Sequence, residues 1–175
     1  MFFFVALGVL WLIHGYVAWR TIPVLGLSFS YAIMVYITVF IFSLLPVVPI
    51  VLRMSGNESK IIDKFSFLGY TSLGFFTLSF IFLFTKDFII QFISIFSNLV
   101  DTEQPIDNSK RDFMKKSITL GIIGISSTAT GFGFYNSRKG PAVIKHDIFL
   151  ESLPESFNNF TIAQISDLHV GPTIK

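Results

Sequence analysis

The sequence predicts an α-helical membrane domain of about four transmembrane helices, followed by a short polar tail that opens a separate domain with its first strands. Two observations carry this reading. Of 175 residues, 52% are hydrophobic and 14% charged, and the mean hydropathy is +0.68. The charges also arrive in clumps separated by long uncharged runs, a pattern foreign to disordered chains and to ordinary water-soluble globules.

Thirteen Lys plus Arg against 11 Asp plus Glu leave a net charge of +2, too small a field to point to nucleic acid or to an acidic partner. With no Cys, disulfide scaffolds, thiolate metal sites and thiol nucleophiles are excluded.

A hydrocarbon core about 30 Å thick needs roughly 20 apolar helical residues to cross it. Phe2 to Trp19 has no Asp, Glu, Lys or Arg, though it carries His14, and gives a first span at 2–19. Thr21 to Leu52 is uncharged, with its dense part at 31–52 as the second span; Pro46 and Pro49 are expected to kink or fray it near the headgroups, where freed carbonyls find water. The Phe-rich run at 65–85 is the third span and 117–136 the fourth. Residues 88–100 are uncharged but short, and read as an interfacial piece or an extension of the third helix, with a fifth span as the alternative. A soluble helix needs a polar face, and Phe75 to Phe84 offers no charged position on any side.

The fourth span is poor in Phe and rich in small residues. Gly124/Thr128, Ser127/Gly131 and Ala129/Gly133 stand four apart on one face, which permits close helix approach. The same stretch also reads as a weakly hydrophobic export signal.

Lys86, Lys110, Arg111, Lys115 and Lys116 bracket the segment before the fourth span and place it in the cytoplasm by the positive-inside rule. The fourth helix then exits, and everything after Asn136 is extracytoplasmic in a multi-pass protein of the cell (inner) membrane. Arg53, Lys60 and Lys64 fit this less well with four spans than with five; both versions put the tail outside. Ser109-Lys110-Arg111-Asp112-Phe113 resembles a twin-arginine export motif with Lys110 in place of the first Arg, so Lys110, Arg111 and Phe113 are its candidate residues. They equally read as a plain positive-inside anchor.

The domain boundary therefore falls at 1–136 and 137–175. In the tail, Ala142 to Leu150 is β-branched and aromatic and predicts a strand. Leu153-Pro154 starts a turn, Asn158-Asn159 marks another, and Phe160 to Ser166 predicts a buried strand. Asp167 and His169 follow directly. A carboxylate and an imidazole two residues apart at the carboxyl end of a strand aim at one point in the crevice above a sheet. They suit a hard-to-borderline divalent ion such as Mn, Fe or Zn.

The block Ile162-Ala163-Gln164-Ile165-Ser166-Asp167-Leu168-His169-Val170-Gly171-Pro172 resembles the first conserved block of the calcineurin-like metallophosphoesterases. With the apolar helices, the basic Phe-containing cluster and Leu153-Pro154 upstream, the whole chain resembles the membrane-anchored bacterial branch of that family. The resemblance implies an α/β domain, a β-sandwich flanked by helices, with Asp167 and His169 as ligands of the first of two divalent metal ions. It also implies hydrolysis of phosphate-ester substrates by a metal-held hydroxide. The later family blocks (a bridging Asp, an Asn-His pair and further His ligands) are not in this sequence. On that reading the chain is an N-terminal fragment or a prematurely stopped product, inactive alone.

Elsewhere His14 reads as a helix-packing or interfacial group, with an intramembrane ligand as the alternative. His146-Asp147 reads as a solvated strand edge, and Ser126, Ser127 and Thr128 as hydroxyls bonded to their own helix carbonyls or to a neighbouring helix. No phosphate loop, Ser-His-Asp set or nucleic-acid surface is present. The rival to the hydrolase is a non-enzymatic multi-pass scaffold or transporter subunit. The sequence leaves the oligomeric state open.

Overall fold

The computed structural model describes residues 1–57, 59–97, 107–139, 143–149, 154–157 and 160–165. Five α-helices follow one another: α1 (Phe2–Thr21), α2 (Phe29–Leu44), α3 (Val48–Met54), α4 (Lys60–Ser97) and α5 (Asn108–Ser137). With α2 and α3 taken as one broken span, the described residues hold four helices long and apolar enough to cross a membrane.

α1 stops where its chemistry changes. Arg20 stands in its last turn, where a cation complements the helix dipole, and a short 3₁₀ turn at Pro23–Leu25 reverses the chain. α2 ends at Leu44 because Pro46 has no N–H for the next helical bond; Pro49 then sits in the first turn of α3, where a missing N–H costs nothing. The expected break is thus present at these prolines. Pro46 and Pro49 are buried, and the Leu45 carbonyl faces Gly69 of α4, where a Cβ would stand 2.6 Å from its oxygen. α3 closes on Gly56 at φ +78, a left-handed conformation that suits glycine. The Gly56 N–H bonds to Arg53 O at 2.9 Å and the Asn57 N–H to Leu52 O at 3.1 Å, the double reverse bond of a Schellman ending.

α4 organises the bundle, packing on every other helix. Its buried residues Ile62, Ser66, Gly69, Ser72, Phe76, Ser79 and Leu83 recur every three or four positions, a seam of large and small side chains along one face. Ser66 and Ser72 turn their hydroxyls back to Ile62 O (2.9 Å) and Gly69 O (2.8 Å), whereas the buried Ser79 Oγ has no partner among the described residues. α1 runs parallel to α4: His14 meets Phe76, Tyr16 meets Phe80, and Arg20 meets Asp87. α5 runs antiparallel, with Phe134 against Phe67 at a ring distance of 5.0 Å. Val17, Phe76 and Leu83 form the apolar centre, with Val39 and Ile122 packed around it.

α4 is 38 residues long, about 57 Å at 1.5 Å per residue and well beyond a hydrocarbon core of about 30 Å. Residues 88–97 continue it without a break, and Phe88, Phe92 and Phe96 stack in sequence along its exposed side. Residues 98–100 lie outside the described set.

The small-residue face of α5 behaves otherwise than expected. A Cβ added at Gly121, Gly124, Gly131 or Gly133 would meet nothing within 4 Å, and the buried positions of this helix are Thr119 and Ser126. Among the described glycines, only Gly69 of α4 would bring an added Cβ into contact.

The expected strands are not found among the described residues. Residues 143–149 and 160–165 have no ladder partner, and Phe149 is 92% and Ile162 81% exposed. A buried strand needs a facing sheet, and none of the described residues supplies one. A 3₁₀ turn at Glu155–Phe157 follows Pro154, with Phe157 N–H to Pro154 O at 2.9 Å.

Candidate functional site

Asp167 and His169, the metal ligands expected from the sequence, lie outside the described residues. Among the described residues no group of three or more His, Asp and Glu side chains gathers as a metal site. His146 and Asp147 are exposed in an irregular segment. What the structure positions is the base from which the tail emerges, together with three polar constellations in the bundle.

The largest joins α1 to α4. Tyr16 and Arg20 are one helical turn apart and share a face. Tyr16 Oη donates to Asp87 Oδ2 at 2.5 Å, Arg20 bonds to Asp87 Oδ1, and Lys86 Nζ lies 3.0 Å from the same oxygen. Arg20 also stacks on Trp19, its guanidinium carbon 5.1 Å from the ring centre. One carboxylate thus serves two cations and a phenol, which fixes the register of α1 on α4. Sequence reasoning used Lys86 only as a topology marker and missed this cluster. The available signal was Asp87, the sole acidic residue between Lys64 and Asp101.

At the opposite end Arg53 bonds to Asp63 Oδ1 at 2.9 Å and to Ser66 Oγ at 3.1 Å, tying α3 to the start of α4. Between the two ends sits His14, 1% exposed. Its Nδ1 donates to Leu10 O at 2.8 Å, because a carbonyl only accepts, and its ring lies 4.2 Å from that of Phe76. Nε2 is buried with no partner among the described residues, so the imidazole packs between helices and meets no second ligand group.

Lys110, Arg111 and Phe113 occupy the first turns of α5 and are exposed. The carboxylate of Asp107 caps this helix, accepting from Ser109 N–H at 3.0 Å and Lys110 N–H at 3.3 Å. Asp107 is thus a cap that holds the basic cluster in a regular helix. Ser127 and Thr128 bond to Ile123 O and Gly124 O at 2.8 and 2.9 Å, while Ser126 Oγ is buried without a partner among the described residues.

No family model matches the chain, and no solved structure matches it. It is similar to a protein of Danio rerio named "Transmembrane protein with metallophosphoesterase domain", 27% identical over 109 residues, which are 62% of this chain and 24% of that protein. The chain thus spans about a quarter of that relative's length. Four apolar helices and a relative named as transmembrane support a membrane protein.

Proposed function

We propose that this chain is the membrane-anchoring part of a metal-dependent phosphoesterase, whose hydrolytic domain begins in the tail after Ser137 and lies outside the cytoplasm. One observation carries the reading. The block from Ile162 to Pro172 resembles the first metal-binding block of the calcineurin-like metallophosphoesterases, and a relative detected independently over much of the chain bears a metallophosphoesterase domain in its name.

In this reading Asp167 and His169 hold the first of two divalent metal ions, Mn, Fe or Zn. A carboxylate and an imidazole are a fitting beginning of such a donor set. Two donors do not hold a dinuclear centre, and the described residues hold no group of three or more such ligands of their own. When bound, a metal pair supplies a hydroxide at neutral pH and charge for the phosphoryl oxygens. The helices contribute the anchor: α5 leads directly into the tail, and its capped basic start, with Lys110 and Arg111, holds the cytoplasmic end as a positive-inside anchor or export-like signal.

Two measurements test this. The coding DNA beyond codon 175 is expected to encode Gly-Asp, Gly-Asn-His and Gly-His-x-His blocks, in phase or shifted; an intergenic region without them sinks the assignment. The 175-residue chain with Mn and an aryl phosphate is expected to show no turnover. Turnover abolished by Asp167→Ala would show that this chain completes a site by itself.

A further inference from the structure

We propose that the groove between α4 and α5 binds an anionic membrane phospholipid, one acyl chain lying along the helices and the phosphate held by Arg138. The inference is independent of the phosphoesterase reading. The groove encloses about 570 Å³ and is open along one side, within the range of small-molecule sites. Phe67 and Leu78 of α4 mark its two ends. The eleven steps between them, at 1.5 Å each, make it about 16 Å long, close to half of a hydrocarbon core of about 30 Å and so the depth of one leaflet.

Its floor is empty for a defined reason. Gly74 and Gly133 both line it, and a Cβ at either would meet nothing within 4 Å. Thr130 lines the same groove, and its Oγ1 is buried without a hydrogen-bond partner among the described residues. A buried hydroxyl is seldom left alone, and a lipid ester or a water carried with it supplies the missing partner.

Arg138 gives the site its polarity. It follows the last residue of α5, at the groove end marked by Phe67. Its guanidinium carbon lies 4.7 Å from the Phe67 ring centre and 5.0 Å from that of Phe134. The two rings hold the side chain in place without using its hydrogen-bond donors. No carboxylate pairs with it among the described residues, in contrast to Arg20 and Arg53. A planar, fixed and unneutralised guanidinium at the end of an apolar slot matches a phosphate in fork geometry, and the slot opens sideways between two spanning helices, where lipid is the neighbouring phase.

The test is native mass spectrometry of the full chain released from micelles holding equal phosphatidylglycerol and phosphatidylcholine. Phosphatidylglycerol adducts are expected to exceed phosphatidylcholine adducts about fivefold, the factor one interfacial basic residue supplies against an anionic lipid. Arg138→Gln should bring the ratio near one, whereas Lys139→Gln should leave it unchanged. Gly133→Leu, whose side chain fills the slot, should remove both adducts, with melting temperature checking that each variant folds. Equal retention of the two lipids by the parent chain overturns the proposal, as does a ratio that Arg138→Gln leaves intact. A dimer that forms without lipid and is broken by Gly133→Leu also overturns it, in favour of a second copy of the chain.

Discussion

Gly69 of α4 lies against the Leu45 carbonyl so closely that a Cβ there would stand 2.6 Å from the oxygen and 2.9 Å from the Pro46 nitrogen. The proline that breaks the second span therefore also creates the bulge that α4 accommodates by having no side chain. Gly69→Ala should gain helix propensity of up to about 1 kcal/mol yet lose more through overpacking, typically about 1–3 kcal/mol. Thermal unfolding in detergent should show a lowered midpoint for Gly69→Ala. Gly74→Ala, where the added Cβ meets nothing, should hold or raise it.

Asp87 gathers two cations and the Tyr16 hydroxyl. Asp87→Asn leaves Arg20 and Lys86 facing each other without their shared anion. Because these groups are partly exposed (19% for the Asp87 side chain and 33% for Arg20), the loss should be about 1–2 kcal/mol and not that of a fully buried pair. A double-mutant cycle of Arg20→Gln with Asp87→Asn should give a coupling of about 1 kcal/mol. Strict additivity would mean that the contact does not hold α1 to α4.

Asp107 caps α5 through two backbone donors. Asp107→Ala should cost about 1 kcal/mol locally. Hydrogen exchange resolved to single amides should speed up at Ser109 and Lys110 and remain unchanged in α4.

The absence of Cys allows the topology to be read with single introduced thiols. Lys139→Cys should react with a membrane-impermeant maleimide in intact cells, and Lys115→Cys only after permeabilisation. The reverse pattern would place the tail in the cytoplasm and remove the extracytoplasmic part of the proposed function.

How much of this was legible in the residues depends on whether a feature is local. The helices follow from runs such as Phe75 to Phe84, which leave no polar face, and the break at Pro46 follows from a missing donor. The Asp87 cluster was not legible, because it joins residues 67 and 71 positions apart and nothing in either helix names the other. The glycines and hydroxyls of α5 suggested a packing face that the structure leaves open at Gly121 and Gly124. The close glycine contact falls instead on α4, at Gly69, whose partner Leu45 lies 24 positions earlier in the chain. For the candidate site, the motif at Asp167 and His169 rests on sequence resemblance, since both residues lie outside the described set. The slot ending at Arg138 needed the structure, because it is made from two helices 50 or more positions apart along the chain.

The overhang of α4 past Asp87 couples the molecule to bilayer thickness. An apolar rod with Phe88, Phe92 and Phe96 on its exposed side cannot stand upright in a thin membrane without wetting those rings. It must lean, or draw the surrounding lipids taller. Membranes rich in long-chain lipids should therefore accommodate it with less strain, and protein crowded into a thinner one should cluster so that copies cover one another's rings.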